Sequence, residues 1–118
     1  MKYVEAFVMP VPTKNLKIYA SMAKIGAKIW LDHGAIDYQE TVLDKAMPGK
    51  LTFPGAVKVK KGETVVLSWI VYTSEKHKNA VMAKVMKDKR LGGMLNPKKM
   101  PFDATRIIRG EFKVLAGK

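Results

Sequence analysis

The chain is organised around residues 64–73, which form its longest run of β-branched and aromatic residues. Alternate residues of a strand point to opposite faces, and here both faces are apolar. One set is Val65, Leu67, Trp69 and Val71, and the other is Val66, Ile70 and Tyr72. A strand that is apolar on both sides is typical of the centre of a sheet covered on both faces. The pattern leaves open whether Trp69 or Ile70 faces the partner subunit inferred below.

Three further segments alternate as strands do. Residues 2–11 are apolar on both faces apart from Glu5. The other two segments are apolar on one face only, which suits the edge of a sheet. These one-sided segments are residues 35–43 and 106–115. Because proline cannot donate to a strand ladder, Pro10 and Pro12 are predicted to end the first strand.

Two segments have the pattern of helices. Residues 14–33 follow Thr13, a residue type that caps helices, and precede Gly34, the usual residue after a helix end. Residues 75–87 follow Ser74, a second predicted N-cap. The order of the main elements is therefore strand, helix, strand, strand, helix, strand.

The connection over residues 44–62 is long for a compact domain. We expect a short extra strand at residues 56–60 within it. A helical turn is predicted over residues 91–95, stopped by Asn96 and Pro97.

The order of elements predicts an α+β fold of the ferredoxin-like type, with one antiparallel sheet and a single domain over residues 1–118. In that topology the first and third strands are central, which agrees with their two apolar faces. Two helices cover one face of such a sheet, and we expect Tyr3, Phe7 and Met9 on the other. Exposure of that face would exceed what monomers usually tolerate, which favours a homodimer packed sheet to sheet as a dimeric α+β barrel. The alternative is a different strand order in a monomer whose long loop covers the sheet.

Charge and composition narrow the class of protein. The 118 residues contain 22 Lys and Arg against 10 Asp and Glu, a net charge of +12, and no cysteine. The charge permits RNA binding, but nearly all the basic residues are lysines, which favours a solvated surface over an arginine-rich recognition site. No apolar run approaches the roughly 20 residues of a membrane span. Without a predicted export signal or cysteine, a cytoplasmic location is expected.

Polar residues on apolar strand faces are the best candidates for chemistry, because burying them costs free energy unless they are paired. They come from all four strands: Glu5, Tyr38 or Glu40, Ser68 or Trp69, and Arg109 or Glu111. We expect them inside the barrel. One interpretation is an ion pair of Glu5 with Arg109, and the other is a general base in a small apolar pocket. Phe102 and Asp103 would either line the mouth of that pocket or form a turn.

The remaining motifs predict little chemistry. His33 is expected to cap or pack at the end of the first helix, with a pocket base as the alternative, and His77 to lie at the surface. Neither has partners at metal-ligand spacing, so no metal and no cofactor are predicted. Ser68 has no assigned His and Asp partners that would make it a nucleophile. Gly92 and Gly93 are not part of a phosphate-loop pattern.

Several segments resemble the YbaA-like family of small bacterial proteins, nearly from end to end. They are residues 6–12, 14–16, 30–35, 65–72, 83–88 and 100–103. The resemblance implies a dimeric α+β barrel and no known activity. We therefore expect a ligand-binding or accessory protein without established catalysis. The alternatives are a cofactor-independent oxygenase, lyase or isomerase acting on a small apolar molecule, and an RNA-binding protein.

Overall fold

The computed structural model describes residues 1–49, 51–92 and 100–118. It has an α+β architecture with four strands, two longer helices and two helices of a single turn. The strands are β1 (Tyr3–Pro12), β2 (Asp37–Val42), β3 (Glu63–Tyr72) and β4 (Ile108–Lys113), and the helices are α1 (Leu16–Asp32), α2 (Phe53–Ala56), α3 (Glu75–Val85) and α4 (Lys89–Gly92).

The four strands form one antiparallel sheet in the order β2-β3-β1-β4. As expected, β1 and β3 are the central strands and β2 and β4 are the edges. The register places Phe7 of β1 opposite Ser68 of β3 and Arg109 of β4. In β2, Glu40 lies opposite the same Ser68. Polar residues of β2, β3 and β4 are therefore brought into one row across the sheet, with Phe7 of β1 between Ser68 and Arg109.

The ends of the helices follow the predicted caps in part. Ser74 caps α3, since its hydroxyl accepts a hydrogen bond of 3.0 Å from the backbone N–H of His77. Gly34 follows α1 with a φ of +109°, a conformation that favours glycine. Thr13 is not the cap of α1, because residues Thr13–Asn15 form a 3₁₀ turn before the α-helix begins at Leu16.

Two predictions about proline and the long connection are wrong. The strand expected at 56–60 is absent, and Phe53–Ala56 is instead a helical turn whose N-cap Thr52 accepts a hydrogen bond from Gly55 N–H. Pro10 lies inside β1 and does not end it, whereas Pro12 is the last residue of the strand, as expected. The register with β4 ends at Val8, so beyond it one side of β1 has no neighbour and a missing N–H there breaks no ladder.

Part of the helical turn expected at residues 91–95 is described. It is present as α4, which ends at Gly92. Residues 93–95, together with Asn96 and Pro97, lie outside the described residues.

The helices cover one face of the sheet, and two clusters of buried residues lie beneath them. The larger cluster contains Tyr3, Ile29, Ala35, Ile70, Tyr72, Val81, Val85 and Leu91, and the smaller contains Met9, Val11, Tyr19 and Val66. The expectation that Tyr3, Phe7 and Met9 lie on the open face is therefore wrong. Both faces of β1 are apolar, so alternation could separate its residues into two sets but could not say which set the helices cover.

The opposite face of the sheet is not covered by the helices. It presents Val4, Ala6 and Val8 of β1, Leu67, Trp69 and Val71 of β3, and Ile108 and Phe112 of β4. Ile108 and Phe112 are 47% and 56% exposed. This open face includes Trp69, whereas Ile70 and Ser68 lie under the helices and are 4% and 3% exposed.

Candidate functional site

A cavity of about 340 Å³ lies between the helices and the face of the sheet that they cover. Small-molecule sites usually have volumes of about 300 to 1,000 Å³. Its apolar wall includes four methionines and five aromatic residues: Met9, Met22, Met82, Met100, Phe7, Tyr19, Trp30, Tyr38 and Phe102. The other polar residues in the lining are Glu5, Glu40, Ser68 and Arg109. The cavity therefore combines a large apolar wall with a few polar groups, as ligand sites do.

Glu40 is the best-defined polar group of the cavity. Tyr19 donates a hydrogen bond of 2.6 Å to its Oε2 atom, and Tyr38 donates one of 3.0 Å to its Oε1 atom. Burial raises the pKa of Glu40 above its ordinary value, and the two hydrogen bonds oppose that rise without cancelling it. Burial together with the carboxylate raises the pKa of both tyrosines, so both remain hydrogen-bond donors.

A second cavity of about 360 Å³ lies between α1 and β2. Tyr19, Ala23, Tyr38 and Glu40 line both cavities. The hydrogen-bonded group of Tyr19, Glu40 and Tyr38 therefore stands between the two spaces, where its orientation affects the shape of each.

Glu5 forms a second pair of a tyrosine with a carboxylate. Tyr72, which is fully buried, donates a hydrogen bond of 2.6 Å to Oε1 of Glu5. Burial and then this hydrogen bond raise the pKa of the Tyr72 hydroxyl. The cavity therefore has two carboxylates, each held by at least one tyrosine that is itself mostly buried.

Arg109 lines the cavity from β4 and is exposed to solvent. The expected ion pair with Glu5 is not formed within the described part of the chain. The register explains this, since Arg109 lies opposite Phe7 and the residue opposite Glu5 is Glu111. Glu111 pairs instead with Lys78 of α3 and does not line the cavity.

The structure thus brings the candidates Glu5, Tyr38, Glu40, Ser68 and Arg109 to one cavity. Their location differs from the expectation, because the cavity lies under the helices of a single chain and not between two sheets. Trp69 is separated from this set because it lies on the open face. Phe102 also lines the cavity. Asp103 forms a turn in which its carboxylate accepts hydrogen bonds from the N–H and hydroxyl of Thr105.

Sequence reasoning missed the roles of Tyr19, Tyr72 and Trp30. All three fall on apolar faces by pattern, although a buried tyrosine hydroxyl or indole N–H usually needs a partner. The presence of Glu5 and Glu40 on apolar strand faces was the available signal for pairing them with tyrosines. The buried N–H of Trp30 has no hydrogen-bond partner among residues that the structure describes.

Aromatic rings stand close together around these groups. Trp30 and Tyr38 have ring centroids 5.9 Å apart, and Tyr19 meets Phe102 edge to face at 5.6 Å. Such separations are typical of favourable aromatic pairs. Two of the four rings belong to the tyrosines that bind Glu40, and each of these two packs against one of the others.

The histidines have structural roles. His33 follows α1 directly, and its Nε2 atom lies 2.8 Å from Oδ2 of Asp88. Arg90 joins the same carboxylate, with Nη2 at 2.7 Å, and lowers its pKa. His77 accepts a hydrogen bond of 2.9 Å from the backbone N–H of Thr73. Neither ring lines the cavity.

Metal-binding and membrane-spanning features are both missing from residues 1–49, 51–92 and 100–118. No group of three or more potential ligands stands together there to hold a metal ion. Over the same ranges, every helix is too short or too polar to cross a bilayer.

Comparisons with known proteins identify a family. Residues 2–104 match the family model described as "Protein of unknown function (DUF1428)". The chain is 38% identical over 114 residues to the uncharacterized protein YbaA of Escherichia coli strain K12, covering 96% of both chains, and the YbaA protein of Shigella flexneri matches equally. A solved structure, the de novo designed protein Foldit4, aligns with a TM-score of 0.44 at 9% identity over 96% of this chain and 97% of that one. A structural similarity of that size supports no conclusion.

Proposed function

The chain belongs to the DUF1428 family of proteins of unknown function, and we propose that it binds a small, largely apolar molecule in the cavity under α1. The observation that carries this proposal is Glu40, a carboxylate with a raised pKa in a largely apolar and aromatic wall. A group of this kind is costly to keep in a fold. Protein interiors are otherwise packed at the density of organic crystals. An open cavity beside two partly buried carboxylates is therefore better explained by a ligand than by packing.

The proposal can be tested by a screen of small aromatic compounds against the ¹⁵N-labelled protein. Binding in the cavity should shift backbone resonances of α1 and of the covered face of β1 and β3. Ala23→Phe should fill the space, since Ala23 lines the cavity, and should abolish those shifts. Ala80→Phe, the same change at an exposed position of α3, is the matched control and should leave them unchanged.

The screen has two results that contradict the proposal. One is a screen in which no compound shifts the cavity residues of a well-folded wild-type protein. The other is a set of shifts that persists fully in Ala23→Phe. If Ala23→Phe does not fold, Met22→Phe provides a second way to fill the cavity from the same helix.

A second candidate is a cofactor-independent enzyme that transfers a proton within the cavity. The raised pKa of Glu40 favours it, because a general base works best with a pKa near the working pH. The test is deuterium exchange of activated carbon acids such as 1,3-diketones in D₂O. Exchange faster than in buffer that is lost in Glu40→Gln supports catalysis, and exchange that is equal in both proteins contradicts it.

We also propose that two copies pack through their open faces. The strand order β2-β3-β1-β4 with helices on one side suits a ferredoxin-like subunit, and two such sheets stacked face to face would close a dimeric α+β barrel. Support comes from the open face itself, a continuous apolar surface of Val4, Val8, Leu67, Trp69 and Val71 with exposed side chains on β4. A second copy would present the same surface, as two-fold packing requires.

The solution mass tests this assembly. We expect twice 13.2 kDa for the wild type and 13.2 kDa for Trp69→Lys, which places a charge at the centre of the apolar face. Ser21→Lys, at an exposed position of α1, is the control and should remain dimeric. A monomeric wild type, or a fully dimeric Trp69→Lys, would contradict the dimer.

A further inference from the structure

On the premise that the cavity binds a ligand, as proposed above, we infer that its ligand is a cation: an ammonium group, protonated or alkylated, attached to an apolar body. The inference rests on the charges, the free hydrogen-bonding capacity and the aromatic surface of the cavity. These three features point to the same chemistry.

The charge of the lining is negative. Glu5 and Glu40 both line the cavity, and Arg109 is the only basic residue among its described lining residues. Arg109 is exposed, so water screens its charge, whereas Glu5 and Glu40 are partly buried. This local charge is opposite in sign to the net charge of +12 on the whole chain. An anionic ligand would add a like charge to two carboxylates, while a cation would neutralise part of theirs.

Within the part of the chain that the structure describes, the hydrogen bonds to Glu40 and Glu5 do not use every acceptor position of their carboxylates. The hydroxyls of Tyr19 and Tyr38 are donated to Glu40, and that of Tyr72 is donated to Glu5. A carboxylate has about four positions that accept hydrogen bonds. Within the described residues, tyrosines occupy two of those positions on Glu40 and one on Glu5, which leaves the other positions there able to accept from a ligand. The preferred partner is therefore a donor, and an ammonium group is the strongest donor of suitable size.

The aromatic surface favours the same group. Tyr19 and Tyr38 bind the Glu40 carboxylate, and each packs against a second ring of the cavity wall: Tyr38 against Trp30 at 5.9 Å and Tyr19 against Phe102 at 5.6 Å. Aromatic rings attract ammonium groups through their negative faces, and rings of this kind recognise alkylated ammonium ions. The methionines in the remaining wall suit an apolar body of variable shape.

Three probes of nearly equal size separate charge from shape: benzylamine, benzyl alcohol and benzoate carry charges of about +1, 0 and −1 at neutral pH. We expect benzylamine to bind at least about tenfold more tightly than benzyl alcohol, as one charge-assisted hydrogen bond would provide, and benzoate to bind most weakly. Resonance shifts of cavity residues during titration give each affinity.

Glu40→Gln keeps the shape of the side chain and removes its charge. It should reduce the preference for benzylamine over benzyl alcohol by about tenfold, with binding of the alcohol nearly unchanged. Glu111→Gln is the matched control, because Glu111 points to the same side of the sheet, pairs with Lys78 and lies outside the cavity lining. It should leave the preference unaltered.

The outcomes distinguish this inference from the proposal on which it rests. Binding of benzyl alcohol or benzoate as tight as that of benzylamine overturns the cationic ligand and leaves ligand binding in place. Equal loss of preference in Glu111→Gln and Glu40→Gln also overturns it, because the effect would then be that of net charge alone. Binding of none of the three probes counts against both.

Discussion

The hydrogen bond from Tyr19 to Glu40 should be more costly to remove than the hydrogen bond from Tyr38 to the same carboxylate. Its length of 2.6 Å is shorter than the 3.0 Å of the bond from Tyr38, and Tyr19 is 8% exposed. Hydrogen bonds to charged groups contribute about 1.5 to 3 kcal/mol. We therefore expect Tyr19→Phe to lower the free energy of unfolding at pH 7 by about 2 kcal/mol, and Tyr38→Phe by about 1 kcal/mol.

The cost of Tyr19→Phe should depend on pH. The folded-state pKa of Glu40 is raised above its ordinary 4.5, because burial outweighs the hydrogen bonds that stabilise its charged form. Burial favours the neutral form of Glu40, so the folding free energy that this preference contributes is fully present below pH 4.5. That contribution is lost as pH rises through the raised pKa. The Tyr19 bond stabilises the charged form, so Tyr19→Phe should cost most above that pKa. Below about pH 4.5 the bond is to a neutral acid, and the cost should fall to about 1 kcal/mol.

Urea unfolding of the wild type, Tyr19→Phe, Glu40→Gln and the double variant, at pH 7 and pH 4, measures the coupling of the pair. Tyr3→Phe is the control for loss of a hydroxyl, since Tyr3 donates to the exposed Glu75 and should cost less than either cavity tyrosine. A cost of Tyr19→Phe below about 0.5 kcal/mol at pH 7, or the same cost at both pH values, would refute the assignment of Glu40 as a buried carboxylate held by this bond.

Three other outcomes are expected. Ser74→Ala should lower the free energy of unfolding by about 1 kcal/mol in urea titrations, because it removes the cap of α3. Arg106 donates two hydrogen bonds of 2.6 and 3.0 Å to Glu63 and lowers the pKa of that carboxyl. Glu63→Gln should therefore lower the free energy of unfolding at neutral pH, and this loss should shrink as pH falls through the lowered pKa. A constant loss from pH 7 to pH 3 would contradict this. Arg90 and Arg106 both form ion pairs with carboxylates, so we do not expect them to read RNA bases. Any RNA binding in filter assays should therefore be independent of sequence and fall steeply with salt. Sequence-selective retention at moderate salt would contradict this.

The main elements of the fold were predictable because each has a local cause. The alternation of residues 64–73 and the cap at Ser74 both act within a few residues, and both are confirmed. The wrong predictions depended on contacts distant in sequence. The place of Pro10 inside β1 depends on where β4 ends, which no local pattern of β1 contains. The side of the sheet that the helices cover depends on both faces together, and two apolar faces are indistinguishable to alternation.

Which residues form the candidate site could be predicted in part from local patterns, but where the site lies in the fold could not, because its location depends on contacts distant in sequence. A charged residue on an apolar strand is conspicuous in a sequence, and the alternation pattern alone therefore identifies Glu5 and Glu40 as candidates. The tyrosines that hold them are ordinary apolar-face residues by pattern, and only the fold shows that Tyr19 of α1 and Tyr72 of β3 reach these carboxylates.

The tyrosine–carboxylate pairs have a consequence for how the site can be studied. The hydroxyls of Tyr19 and Tyr38 support the fold and also hold Glu40 in the lining of the cavity. Substitution of a tyrosine therefore changes stability and binding together. Glu40→Gln removes the charge while its side-chain oxygen can still accept from one tyrosine, so it should relieve the burial penalty on the charged carboxylate and still weaken a cationic ligand. A Glu40→Gln variant that is more stable than the wild type but binds a cationic ligand more weakly would show that the site is kept for binding and not for stability.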